Sequence, residues 1–359
     1  MAAMMRAAIF LWVYPKIRST VKAWTQFVQR LRGEVPDLEA TLLAGHWFLK
    51  RLSGLRRWLF AFDIPKGIGV EVGGLYFPSP LILAAFEGDI DVVGLWMGFG
   101  LGGGTLKTIL KDPRPGNPRP RIQEIRTPAG LGLINAMGLP GKGVSAFLAS
   151  LEVDLLAIED DKPIGLSIGG HSVAEYIENL VAVDVAVNRF SASLSKRFYY
   201  ELNISCPNTP DGQNLLKHPE LLVSILQAAR AQTTRLISVK LSPDQSDADL
   251  LQFATLIRPF PNLALTLGNT QYRRCADLGL PESAISVGGG GLSGPELYAR
   301  TLAMVQLLAP FGLPMIATGG VSGAEQVKAL QAAGASLVGV ATAVVQNPYR
   351  IPIINAALK

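Results

Sequence analysis

The chain has 359 residues, 49% of them hydrophobic, and a formal net charge of +5. That composition excludes wholesale disorder and leaves room for one large α/β barrel with an appendage, or for two ordinary domains. Two cysteines, Cys206 and Cys275, make no disulfide framework, and three scattered histidines offer no zinc spacing, so a reducing compartment and no metal site are expected.

The charge is unevenly placed. Residues 1–66 hold 11 Lys/Arg against 4 Asp/Glu, whereas residues 67–359 hold 22 against 24. The nearly neutral body argues against nucleic acid as a partner. Within residues 1–33, which carry no acid, Ala7 to Tyr14 is an apolar run bounded by Arg6 and Pro15. It is too short to span a bilayer, which needs about 20 apolar residues. An Arg-bearing, acid-poor presequence is one reading of this segment, and an amphipathic surface anchor is the other. From 38 to 62 the helical period returns, with Leu38, Leu42, Leu49, Leu52, Leu55 and Leu59 near one stripe and Lys50, Arg51, Arg56 and Arg57 beside it. The expected division is a helical extension over 1–66 and a second unit over 67–359.

From Ile68 the pattern changes. Val70 to Phe77 reads as a small hairpin turning at Gly73-Gly74. Eight buried apolar runs follow: Leu81–Ala85, Gly100–Leu106, Pro163–Ile168, Tyr199–Ile204, Leu236–Leu241, Leu263–Leu267, Leu313–Thr318 and Ser336–Ala341. Helical segments fall between most of them, such as Val173–Phe190, Pro219–Ala231, Asp247–Ile257, Pro295–Leu308 and Ala324–Ala333. Eight strands alternating with helices predict a (β/α)8 barrel. A doubly wound sheet is the alternative, but no strand leads into a Gly-x-Gly-x-x-Gly turn.

Chemistry-bearing residues collect at the ends of these strands, where α/β barrels place their sites. Lys107-Thr108 follows the second run. Asn203, Cys206 and Asn208 follow the fourth, which Pro207 and Pro210 stop. Lys240 ends the fifth, and a lysine in an apolar strand is costly unless paired or used. Gly288–Gly291 adds a glycine-rich run, and Gly319-Gly320 and Ala341-Thr342, after the seventh and eighth runs, stand where barrels bind phosphate through backbone N–H groups.

Asn203-Ile-Ser-Cys-Pro-Asn208 resembles the active-site motif of the dihydroorotate dehydrogenase family, and the resemblance covers about residues 66–345. Asn135-Ala-Met-Gly-Leu139 is similar to that family's substrate loop, and Gly116-Asn-Pro-Arg-Pro-Arg121 to the segment before it. The resemblance implies FMN as cofactor and dihydroorotate as substrate. It makes Cys206 the base that takes the C5 proton and sets Lys107 by flavin and substrate. Ala84, Ala85, Lys107, Thr108, Asn203, Lys240, Gly291, Gly319, Gly320, Ala341 and Thr342 would hold the flavin. Lys107, Asn135, Met137, Gly138, Leu139, Asn203, Asn208, Asn269 and Thr270 would hold the pyrimidine and its carboxylate.

Cysteine at 206 resembles the soluble class 1 enzymes, whereas the basic, aromatic residues 1–66 resemble the extension of the membrane-bound class 2 enzymes. Phe86 stands where the family usually has glycine, and a phenyl group there is expected to crowd the flavin or reshape the pocket. The acceptor implied is a quinone or another acceptor, with peripheral attachment to a membrane, on the cytoplasmic side of the inner membrane if bacterial; a cytoplasmic enzyme is the alternative. The rival readings are a related flavin oxidoreductase acting on another pyrimidine or enone, and a silent FMN-binding barrel.

Overall fold

The computed structural model describes residues 2–155, 161–204 and 218–359. Cys206 and Asn208 lie outside these residues. Helix α1 (Ala2–Leu31) and helix α2 (Glu39–Arg51) come first, followed by a short turn of helix and the hairpin β1 (Val70–Val72) and β2 (Leu75–Phe77).

Eight parallel strands then close into a barrel: β3 (Leu81–Leu83), β4 (Gly103–Ile109), β7 (Ile164–Ile168), β8 (Phe198–Asn203), β9 (Ile237–Leu241), β10 (Leu263–Leu267), β13 (Met315–Thr318) and β14 (Leu337–Val340). Each overlaps one of the eight apolar runs, and their order around the barrel is their order in sequence. Fully buried aliphatic side chains such as Leu166, Leu202, Val239, Leu265 and Val338 explain why the runs are near-continuously apolar. The strand ends expected to carry chemistry therefore share one mouth.

A second sheet was not visible in the apolar pattern. The hairpin β5 (Ile122–Thr127) and β6 (Gly130–Asn135) is inserted after β4, and β11 (Gln271–Arg274) and β12 (Gly289–Ser293) after β10; together they pair in the order β11-β12-β6-β5. The glycine-rich run is thus a strand, not a loop. A Cβ at Gly290 would strike the Asn135 carbonyl, and one at Gly291 the Thr270 hydroxyl.

Pro15 bounds the apolar run Ala7 to Tyr14 but does not end the first helix: α1 continues through it. A proline removes the bond to the carbonyl four residues earlier. Here that carbonyl, Leu11 O, accepts from Asn347 Nδ2 of the barrel at 2.8 Å. The 38–62 stripe is also broken. α2 stops at Arg51, and Leu38 and Leu59 are buried while Leu52 and Leu55 face solvent.

Both helices are bound to the barrel by charge as well as by packing. Arg18 and Lys22 of α1 pair with Glu124 on β5. Asp37, fully buried, accepts from Arg119 Nε at 2.9 Å and from Gln29 Nε2 at 3.0 Å. Burial pushes the Asp37 carboxyl up, but these bonds outweigh it and hold the group below the usual carboxylate range. A depressed acid contributes stability above its unfolded pKa and loses it as pH falls through the folded value. Asp37→Asn is therefore expected to cost about 1–3 kcal/mol at neutral pH. The deficit, measured as the difference in unfolding free energy from wild type, should shrink toward acid pH.

Candidate active site

Side chains of β4, β7, β8 and β9 meet in a polar layer just inside the mouth. Lys240 on β9 and Glu201 on β8 are 5% and 3% exposed, and Lys240 Nζ donates to Glu201 Oε1 at 3.4 Å. Ser167 on β7 donates to the same carboxylate oxygen at 3.1 Å and lies 3.1 Å from the Thr108 hydroxyl. Asn203 Nδ2 donates to Thr108 Oγ1 at 2.8 Å, while Asn203 Oδ1 is buried with no partner among the described residues. Tyr176 fixes this strand end from outside, its hydroxyl donating to Asn203 O at 2.7 Å. Parallel registry makes the layer: Ser167 is opposite Glu201, and Asn203 is opposite Lys240.

Lys107 sits where the register of β4 against β7 slips between Leu106 and Ile109. Such an irregularity re-aims a side chain, and Lys107 is the one half-buried position in an otherwise buried strand. Its backbone N–H donates to Glu87 O at 2.8 Å. Burial pushes its amine below the usual lysine range; Glu87 pulls it back up, and Arg121 pushes it further down.

Two adjoining cavities occupy the mouth. The inner one is floored by Ala84 and Ala85 and bounded by Lys240, Thr318, Gly319, Gly320, Ala341 and Thr342. The outer one has a volume of about 800 Å³ and reaches from Lys107, Thr108 and Asn203 out to Leu42, Leu43 and His46 of α2. Both share Ala85, Phe86, Lys240, Asn269, Thr270, Ala341 and Thr342. Asn135, Met137, Gly138 and Leu139 line the outer cavity. Every described residue expected to hold cofactor or substrate thus lies on one of the two cavities except Gly291, and the rest of the run Gly288–Gly291 lines neither as well. Phe86 packs its ring on Trp96, centroids 5.2 Å apart, while remaining part of both walls.

Sequence reasoning missed Glu201, because one acid in an apolar strand does not disturb the hydrophobic pattern. It also missed the charged rim under α2. There Glu39 takes a two-pronged contact from Arg121 at 2.6 and 2.8 Å, His46 Nε2 lies 3.2 Å from Glu87, and Lys50 Nζ lies 2.6 Å from Asp89.

The residues present suit a planar cofactor with an anionic tail. The floor is small and apolar, Asn203 Oδ1 and Thr318 Oγ1 are buried acceptors without partners among the described residues, and Lys240 offers a cation. Gly319 and Gly320 have positive φ, so their backbone can approach a phosphate closely. They also have a structural reason to be glycine, since a Cβ at Gly320 would meet the Tyr298 backbone.

A parallel barrel with a deep, polar-lined mouth of this kind is the architecture of a (β/α)8 enzyme. The sequence model described as dihydroorotate dehydrogenase matches residues 68–359, and the chain belongs to that family. A dihydroorotate dehydrogenase (quinone) of Mycobacteroides abscessus is 34% identical over 276 residues, 76% of this chain and 74% of the relative. The catalytic subunit of a dihydroorotate dehydrogenase B (NAD(+)) of Halalkalibacterium halodurans is 30% identical, covering 80% of this chain and 90% of the relative. The crystal structure of an Eimeria tenella DHODH in complex with ferulenol shares the fold, with a TM-score of 0.73 at 23% identity over 90% of this chain and 91% of that one.

Glu201→Gln would leave a buried ammonium without a counter-charge. Breaking a buried pair in this way typically costs about 3–5 kcal/mol. Chemical denaturation of the variant should show a loss of that size, and Lys240→Met in the same background should recover part of it.

Proposed function

We propose that this protein oxidises dihydroorotate to orotate with FMN in pyrimidine biosynthesis, and passes the electrons to a quinone. The observation that carries the reading is the pair of joined cavities, one suited to a flat cofactor and the other lined by a cation and neutral amides. FMN supplies the hydride acceptor when bound. Ala84, Ala85, Thr108, Asn203, Lys240, Gly319, Gly320, Ala341 and Thr342 would hold it, with Lys240 beside its pyrimidine edge.

The other residues bind substrate and move its proton. Asn135, Asn203, Asn208, Asn269 and Thr270 suit a ring whose edges alternate donors and acceptors. Met137, Gly138 and Leu139 close over it, and Lys107 meets the carboxylate. Cys206 is the general base for the C5 proton, a role open to a thiol near neutral pH when its surroundings lower its pKa.

The acceptor is argued from the other end of the outer cavity. It opens beneath α2, and α1 and α2 expose Trp12, Trp24, Phe27, Trp47 and Phe48 to solvent. An apolar, aromatic face beside Lys and Arg suits the headgroup boundary of a membrane. No described helix is long and apolar enough to cross one. Peripheral attachment would bring a lipid-dissolved quinone to this opening.

Two tests follow from the residue roles. Cys206→Ala should stay yellow, with FMN bound, while its anaerobic reduction by dihydroorotate slows at least about 100-fold. Near-normal reduction would move the base elsewhere. Orotate binding should be tightest while Lys107 is charged and should weaken as pH rises through its depressed pKa, earlier than for an ordinary lysine. Lys107→Met should bind orotate at least about tenfold more weakly, as for loss of a charged hydrogen bond. It should also abolish that alkaline limb in a fluorescence titration.

A further inference from the structure

Among the described residues common to the two mouth cavities, Phe86 is the only large apolar one. Ala85, Ser293, Ala341 and Thr342 are small, and Lys240 is committed to Glu201. A side chain that only fills the core is buried, whereas Phe86 is half-buried. One side of its ring lies on the buried Trp96 of the helix Ile90–Met97, with the planes 31° apart, and the residue still lines both cavities. It is fixed from several directions. Its N–H donates to Ala84 O at 2.9 Å in a tight turn off the end of β3. The next residue, Glu87, accepts from Lys107 N through its carbonyl, and from the N–H groups of Gly88 and Asp89 through Oε1, each at 2.8 Å. Trp96 in turn meets His46 of α2 edge-on, centroids 6.2 Å apart, and His46 Nε2 lies 3.2 Å from Glu87. A ring held by turn, strand and helix together is a wall rather than a swinging lid.

We propose that Phe86 is the residue that selects the electron acceptor. A molecule that enters the outer cavity beneath α2, beside Leu42, Leu43 and His46, reaches the inner cavity across the junction that Phe86 narrows. A flat, uncharged ring can lie along the phenyl group and gain from stacking. A charged, hydrated oxidant must shed water against the same apolar surface and finds no counter-charge on it. The junction therefore passes a quinone-like ring and holds back bulky ionic acceptors. This inference rests on the flavin and quinone reading proposed above, and adds to it the side chain that enforces the choice.

The test uses full-length protein carrying FMN, with Phe86→Ala to open the junction and Phe86→Tyr to keep a ring in it. Quenching of the bound flavin's fluorescence by iodide needs no substrate. It should rise in Phe86→Ala and stay at the wild-type level in Phe86→Tyr; equal quenching in all three proteins overturns the inference. In a second arm each protein is reduced by dihydroorotate and reoxidised without oxygen. A short-chain quinone takes two electrons and two protons to become the quinol, whereas ferricyanide takes one electron per ion and leaves the protons to solvent. The ratio of the ferricyanide rate to the quinone rate should rise about tenfold in Phe86→Ala, the low end for one lost apolar contact in a discriminating pocket. Phe86→Tyr should keep the wild-type ratio. A wild-type ratio in Phe86→Ala overturns the inference, including the case where both rates fall together because Phe86 only seats the cofactor. If Phe86→Ala does not retain FMN, Phe86→Leu carries the same test and should shift the ratio in the same direction by less. A wild type that holds FMN but is not reduced by dihydroorotate refutes the proposed function instead, and the iodide comparison still decides the part played by Phe86.

Discussion

The mouth of the barrel depends on one buried ion pair, Lys240 with Glu201. Neither charge could remain in an apolar barrel alone, and together they still need the Ser167 hydroxyl to satisfy the carboxylate. From that pair the hydrogen bonds run through Ser167 and Thr108 to Asn203, crossing four adjacent strands. The polar layer therefore sits at one height, fixed by strand register rather than by loops. It leaves a cation and an amide oxygen with no partner among the described residues facing the cavity. A site built this way is rigid before anything binds, which is what preorganised stabilisation of developing charge requires.

The N-terminal segment that carries α1 and α2 is attached by a different physics. Its inner side is held by ion pairs to β5 and to the segment before it, and by a proline that hands its orphaned carbonyl to Asn347. Its outer side keeps an aromatic face exposed to solvent. The same segment thus clamps to the barrel through charge and leaves its hydrophobic area free. One relative named for a quinone and one named for NAD(+) match this chain at 34% and 30% identity. Identity alone does not choose between the two acceptors, and the features that favour a quinone are those of α1 and α2.

The eight barrel strands were legible because burial on both faces writes an uninterrupted apolar run of five or so residues. Lys107, Asn203 and Lys240 were legible because a polar group at the end of such a run needs a reason to be there. The second sheet was not: Ile122-Gln-Glu-Ile-Arg-Thr127 is half-buried with two strand faces mixed, and β12 is mostly glycine, chosen for close packing against Asn135 and Thr270. The same packing demand made Gly291 look like a phosphate ligand although it lines neither mouth cavity. The continuation of α1 through Pro15 was not legible either, because a tertiary hydrogen bond 336 residues away in sequence takes up the carbonyl that the proline leaves. Phe86, expected to crowd a flavin or reshape the pocket, lines both cavities and has Trp96 to pack on. That partner could not be read from the sequence, because aromatic packing between a loop and a helix leaves no local pattern.

The central claim is that this barrel mouth takes a hydride and a proton from dihydroorotate. It is tested most directly by mixing the purified full-length protein with one equivalent of dihydroorotate without oxygen, while following visible absorbance and product. The account predicts a yellow protein whose flavin bleaches as one equivalent of orotate appears, and whose colour returns faster with a quinone than with fumarate. A protein that binds FMN yet neither bleaches nor forms orotate would contradict it.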